Sequence, residues 1–247
     1  MLRRLVVALA AIPLLFVSTT VAAPPPQAAS ATGCLSKQLA LGEFNTFNKD
    51  GGKAWWTMQQ LAAQDTATNG FAAEVLWVAT DNRAADPPQT WVEMGITDGW
   101  EGANVTTFYS AQATDWDEPW HTYTQSRAYA TPVVGHGYKF VIDQFDSDTY
   151  QAIATIGGGE TLTWFWDGHH DPTKQVAAGL EATCTTAQVD RTNVTNVSTR
   201  ANDTQAWGLV DHGALFDYTT DPDGGLGWCS YPTAFRYYLN SAIGTSC

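Results

Sequence analysis

Trp91-Val92-Glu93-Met94-Gly95-Ile96-Thr97-Asp98-Gly99 is the stretch on which the fold of this chain turns. Val92, Met94 and Ile96 fall on one side of it and Trp91, Glu93 and Gly95 on the other, because successive side chains of a strand point to opposite faces. The first set suits a core. The second puts a carboxylate beside an indole, next to a residue with no side chain. That is the composition of a groove that holds a ligand, or of the seat of an acid catalyst.

Outward from this stretch the pattern repeats. Glu74 to Thr80, Glu-Val-Leu-Trp-Val-Ala-Thr, is β-branched and aromatic and is closed by Asp81-Asn82. Asn104 to Gln112 alternates. Tyr138 to Asp143, Tyr150 to Ile156 and Thr161 to Trp166 form a hairpin meander, parted by Asp146-Ser147-Asp148 and Gly157-Gly158-Gly159. Asn48-Lys49-Asp50-Gly51-Gly52 is a turn between two aromatic-rich strands, and Gln175 to Thr183 is a strand that Gly179 marks as bulged. Gln205 to Val210 and Leu215 to Tyr218 add edges, and the tail from Ser230 to Ile243 holds one short helix. No long helical period and no repeat of 20–50 residues appears. Many short strands with turn residues between them predict an all-β fold: a two-sheet antiparallel jelly-roll sandwich, concanavalin-like. The Cys–Trp–Cys spacing of immunoglobulin domains is missing.

The N-terminus reads as an export signal. Met1-Leu2-Arg3-Arg4 is basic, and Leu5 to Val17 is apolar but too short to span a bilayer. Small residues offer cleavage sites in Thr20-Val21-Ala22-Ala23 and at Ala29-Ser30-Ala31, with Ala31 favoured because Pro24 to Pro26 follow the first. A lipid anchor on Cys34 is the rival reading. Residues 1–31 are therefore expected to be signal peptide and linker, and 32–247 a single sandwich domain. A secreted chain with four cysteines, Cys34, Cys184, Cys229 and Cys247, predicts two disulfides, with Cys229–Cys247 and Cys34–Cys184 the preferred pairing. Twenty-five acidic residues against 12 basic ones make nucleic acid and anionic membrane poor partners. The balance serves solubility, with work at acidic pH the sharper alternative. The expected partner is an extracellular polysaccharide or peptide, and the expected state a monomer.

Leu76-Trp77-Val78-Ala79-Thr80-Asp81, a loop, and then Val92-Glu93-Met94-Gly95-Ile96-Thr97-Asp98 resemble the core strand pair of the glutamic peptidase superfamily, the eqolisin group with the related neprosin type. The resemblance extends over about residues 70–185. It implies a two-sheet sandwich. Glu93 falls where eqolisins carry a catalytic glutamine and the neprosin type a glutamate. It also implies a second catalytic residue in the region Glu118 to Gln125, where Glu118 and Gln125 are the candidates.

Such a peptidase needs one carboxyl as general acid and base on a water, and an amide or second carboxyl to steady the oxyanion. Glu93 beside Trp91 suits the first role. Among 11 tryptophans, Trp77 and Trp164 are expected in the core. Trp91, Trp100, Trp116 and Trp120, with His121 and Tyr123, are the candidate ligand-binding residues, suited to stacking on sugar rings or on an aromatic peptide. Three functions follow: a glycan- or peptide-binding groove without catalysis, an acid endopeptidase using Glu93, or a glycoside hydrolase pairing Glu93 with Asp117 or Glu118. His169-His170, Asp146-Ser147-Asp148 and Asp221-Pro222-Asp223-Gly224-Gly225 read as turns rather than metal loops, so no metal or other cofactor is expected. No Gly-x-Ser-x-Gly or His-Glu-x-x-His motif occurs. Asn104, Asn193, Asn196 and Asn202 sit in glycosylation sequons.

Overall fold

A computed structural model describes residues 37–63, 70–79, 91–99, 106–113, 123–128, 131–146, 149–157, 159, 161–167, 173–183, 187–200, 205–210, 216–220, 225–231 and 234–239. Its sixteen strands are β1 (Lys37–Lys49), β2 (Gly51–Thr57), β3 (Leu61–Ala62), β4 (Phe71–Ala79), β5 (Trp91–Asp98), β6 (Thr107–Ala113), β7 (Tyr123–Ala128), β8 (Gly137–Asp146), β9 (Thr149–Ile156), β10 (Thr161–Asp167), β11 (Thr173–Thr183), β12 (Gln188–Arg200), β13 (Gly208–Leu209), β14 (Phe216–Thr220), β15 (Leu226–Tyr231) and β16 (Ala234–Leu239). No helix occurs among the described residues. The strands form a jelly-roll-like sandwich of two antiparallel sheets. A seven-stranded sheet runs β14-β1-β11-β4-β5-β6-β7. A nine-stranded sheet runs β10-β9-β8-β2-β12-β16-β15, with β3 and β13 also pairing to β12.

The alternation read in β5 decides which layer each residue enters. Val92, Met94 and Ile96 lie in the core between the sheets, with Leu76 and Val78 from β4 and Val176, Ala178 and Leu180 from β11. The nine-stranded sheet answers with Trp56, Tyr138, Phe140, Ile142, Val194, Phe235 and Tyr237. Trp56 packs on Phe140 at 4.8 Å between ring centres, and its indole N–H donates to the Tyr237 hydroxyl at 3.1 Å. At the end of β5, Gly99 has φ of 87°, a conformation that costs a residue with a Cβ and costs glycine little. The meander β8-β9-β10 and the edge role of β14 also match the sequence reading. Between β1 and β2 only Asp50 intervenes, and there the chain passes from one sheet to the other.

Three expectations are corrected. Among the described residues the tail is strand where a helix was expected: in Ala234–Leu239, Phe235, Tyr237 and Leu239 are buried in alternation with Ala234, Arg236 and Tyr238, a period of two. Gly179 makes no bulge, because its pairing runs without a shift to Leu41 on one side and Val75 on the other. Trp77 is buried but not in the core between the sheets. With Leu76 and Val78 turned inward, it faces the other way and joins Ala73, Val75, Tyr109, Ala111 and Ala177 in an apolar cluster on the outer face of the seven-stranded sheet. Trp164 does pack, partly buried, against the main core.

Candidate functional site

The outer face of the seven-stranded sheet is where the sequence placed the site, and antiparallel register shows what shares it. Glu93 pairs with Trp77 on one side and Ala111 on the other, and Ala111 pairs with Gln125. Beyond Trp77 the same row continues to Ala177 and Glu43. The neighbouring row holds Gln175, Ala79, Trp91, Ala113 and Tyr123. Gln125, Tyr123 and Trp91 are thus brought into register with or beside Glu93. Glu118, Asp117, Trp100, Trp116, Trp120, His121 and the pair His169-His170 lie outside the described residues. So do Cys34, Cys184 and Cys247, and with them the expected disulfide pairing.

Glu93 keeps 6% of its surface. The Trp91 indole N–H donates to its Oε2 at 3.1 Å, which is possible because residues two apart on a strand project to the same side. The Trp77 and Trp91 rings lie 6.5 Å apart and tilted by 35°, so two indoles flank one carboxyl. Gly95 explains itself here. A Cβ on it would stand 2.0 Å from the Glu74 carbonyl and 3.1 Å from the Tyr109 ring. The missing side chain lets β4 and the Tyr109 ring approach the strand that carries Glu93.

Sequence reasoning missed Gln175, which is 7% exposed. It reaches the same face from β11, on the far side of Trp77 from Glu93 and one row along. Strands about 4.8 Å apart and a rise of about 3.4 Å per residue put the two Cα atoms roughly 12 Å apart. Glu181 is buried on the same face but two rows away, its Cα roughly 17 Å from that of Glu93 by the same geometry. The signal for Gln175 was present in the alternation of β11, where Val176, Ala178 and Leu180 turn inward and Gln175, Ala177 and Gly179 outward. Nothing linked it to Glu93 until β4 was seen to lie between them.

A second glutamate sits on the opposite face of the same sheet. Glu74, on β4, is wholly buried between the sheets, and burial pushes its pKa up to about 7. The Thr192 hydroxyl stands 2.7 Å from its Oε1 and 3.1 Å from the Asp190 carbonyl. That hydroxyl has one hydrogen for two acceptors. A protonated Glu74 resolves the conflict by donating to Thr192, which then donates to Asp190. The Tyr237 hydroxyl adjoins the same carboxyl and is itself pushed to higher pKa by burial and by Glu74. Glu74 is therefore a buried acid whose protonated form the fold favours, separate from the Glu93 face.

The fold is similar to that of scytalido-glutamic peptidase, solved with a peptide-based transition state analog. The TM-score is 0.60 at 9% identity, over 83% of this chain and 99% of that one. A member of the eqolisin family of peptidases, SCP-B, solved in complex with the tripeptide Ala-Ile-His, aligns over the same shares at a TM-score of 0.58 and 9% identity. The chain thus has a glutamic-peptidase-like fold. No protein-family model matches the chain, and no curated protein matches it by sequence.

Proposed function

We propose that this chain is a secreted acid endopeptidase of the glutamic kind, binding an extended polypeptide across the outer face of the seven-stranded sheet and cleaving it with Glu93. One observation carries the reading: a carboxyl, Glu93, and an amide, Gln175, are both buried on that face, on either side of the strand that bears Trp77. The likeness in fold to proteins solved with a transition state analog and with a tripeptide supports it. So does the glutamate at the position where the neprosin type carries one.

In this reading Glu93 takes a proton from a water as the water oxygen bonds to the scissile carbonyl carbon. The carbonyl oxygen gains the negative charge and accepts a hydrogen bond from the Gln175 amide. As the C–N bond breaks, Glu93 returns the proton to the leaving nitrogen. The Trp91 indole fixes the plane of the carboxyl, and the two indoles offer an apolar floor for a substrate side chain.

Digestion of a denatured protein at roughly pH 3–4, where a glutamate is partly protonated, tests the proposal. Glu93→Gln is expected to lose at least about 10²-fold in kcat/KM. Gln175→Ala is expected to lose about 10²–10³-fold, with Gln125→Ala near the parent. If Gln125→Ala is the damaging variant, the amide role passes to β7. Undiminished cleavage by Glu93→Gln ends the case. The Trp77–Trp91 pair also favours a second reading, a groove that holds a peptide or glycan without turnover. It requires binding on peptide or glycan arrays that Trp91→Ala abolishes, and no cleavage by the parent at any pH.

A further inference from the structure

The outer face of the nine-stranded sheet, on the side of the sandwich away from Glu93, has a composition at odds with the rest of the chain. Register places Lys139 opposite Trp55, Lys53 opposite Val141 and Ser198, and Gly51 between Asp143 and Arg200. All of these alternate with the core residues Ala54, Trp56, Phe140 and Ile142, and so point outward. The Lys139 ammonium lies 5.6 Å from the centre of the Trp55 ring. The Lys53 ammonium and the Arg200 guanidinium lie 4.9 and 5.1 Å from the Trp207 ring. Arg236, further across the same face, covers Tyr231 at 4.7 Å. Four of the 12 basic residues of an acidic chain are gathered here.

Two details of this face suit an anionic ligand. At the outward positions of β2 and of β8 from Gly137 to Asp143 the one carboxylate is Asp143, and it is ion-paired with Arg200. Lys53 and Lys139 have no carboxylate partner among the described residues. They are diagonal neighbours, and the Lys139 charge, after burial, lowers the Lys53 pKa. The face is also apolar where it is exposed: Trp55 is 39%, Phe165 55% and Leu209 66% exposed. Flat aromatic surface beside ammonium groups with no carboxylate partner among the described residues is unusual on a molecule whose charge favours repelling anions.

We propose that this face is a second binding site, for an anionic polysaccharide of the uronate type, its sugar rings stacked on Trp55 and Trp207 and its carboxylates paired with Lys53 and Lys139. A uronate ring presents a C–H face to an indole and a carboxylate to an ammonium from one rigid unit. An acidic peptide supplies the charge without the stacking face. An anionic membrane meets the whole chain, whose net charge of −13 opposes approach. The site is independent of Glu93 and would hold the protein on a polymer while leaving the other sheet open.

The test is affinity electrophoresis and calorimetry of the full chain with polygalacturonate, with the same polymer methyl-esterified, with a neutral β-glucan, with poly-glutamate and with phosphatidylserine vesicles. Polygalacturonate is expected to bind, to release at high salt, and to bind at least about tenfold tighter than its ester. Lys53→Gln with Lys139→Gln, shown to be folded by circular dichroism, is expected to weaken binding about tenfold. Trp55→Ala weakens it too, and Glu93→Gln leaves it unchanged. Equal binding of the esterified polymer, equal or tighter binding of poly-glutamate, binding of vesicles only, no binding of polygalacturonate, or an unaffected double lysine variant each overturns the proposal. Self-association of the parent that the double variant loses, without polysaccharide binding, reassigns the face to a second copy of the chain.

Discussion

Glu74→Gln should make the protein more resistant to alkali, and the size of the effect follows from the core. The parent carboxyl is raised from 4.5 to about 7, chiefly by burial. Its proton is held more tightly folded than unfolded, so the stability it supports is complete below about pH 4.5. That stability is lost as the pH rises through 7. At 1.36 kcal/mol per pH unit, the loss is about 3 kcal/mol. Glutamine keeps the size of the side chain and can donate to Thr192 as the protonated acid does, but it does not titrate. Thermal unfolding of both proteins from pH 4 to pH 8 is the assay. The parent is expected to lose about 6–12 °C more in Tm across this range than the variant. Asp98, half-buried and shifted upward mainly by burial, contributes a slope of the same sign to both proteins, so the difference between the curves is what is read. Tyr138 and Tyr237, the other titratable groups against Glu74, are both shifted upward and stay neutral throughout. Parallel Tm curves would refute the reasoning.

Gly95→Ala is expected to destabilise by about 3 kcal/mol or more, because its Cβ would stand 2.0 Å from a strand carbonyl that cannot move aside; chemical denaturation reads this directly. In a glycosylating host, Asn196 is expected to carry glycan and Asn193 none, checked by mass spectrometry of the peptides. Asn196 is exposed, with φ of 54° at an irregularity in β12, whereas Asn193 is paired on both sides and its Oδ1 is buried. On export from a host cell, the mature chain is expected to begin just after Ala31, and N-terminal sequencing that finds residue 24 instead would move the cleavage site to Ala23.

How much could be read in advance depended on whether a strand kept its period. β5 was legible because its two faces want different chemistry and nothing interrupts the alternation. The longest stretch overlooked was β12, the middle of the nine-stranded sheet. Its inward residues Val189, Thr192, Val194 and Val197 are spaced three, two and three apart, because the register slips between Val189 and Thr192 and again between Thr195 and Ser198. A polar run dense in sequons with a broken period looks like a loop. β16 failed for a related reason: six residues rich in tyrosine fit a helix turn as well as a strand until Phe235, Tyr237 and Leu239 meet the core. At the site, Glu93 and Trp91 came from local pattern. Gln175 did not, since its nearness to Glu93 exists only through β4, and Glu74 looked like the polar start of a strand rather than an acid enclosed by two sheets.

Because β5 serves both sides of its sheet at once, its history is confined to exchange of one residue for another. Adding or removing a single residue between Trp91 and Glu93, with the pairing of Trp91 held, would turn Glu93 inward and Met94 outward, taking the carboxyl off the outer face and charging the core in one step. Descendants of this sequence can therefore vary the spelling of the strand but not its letter count, and changes of length must accumulate on either side of it.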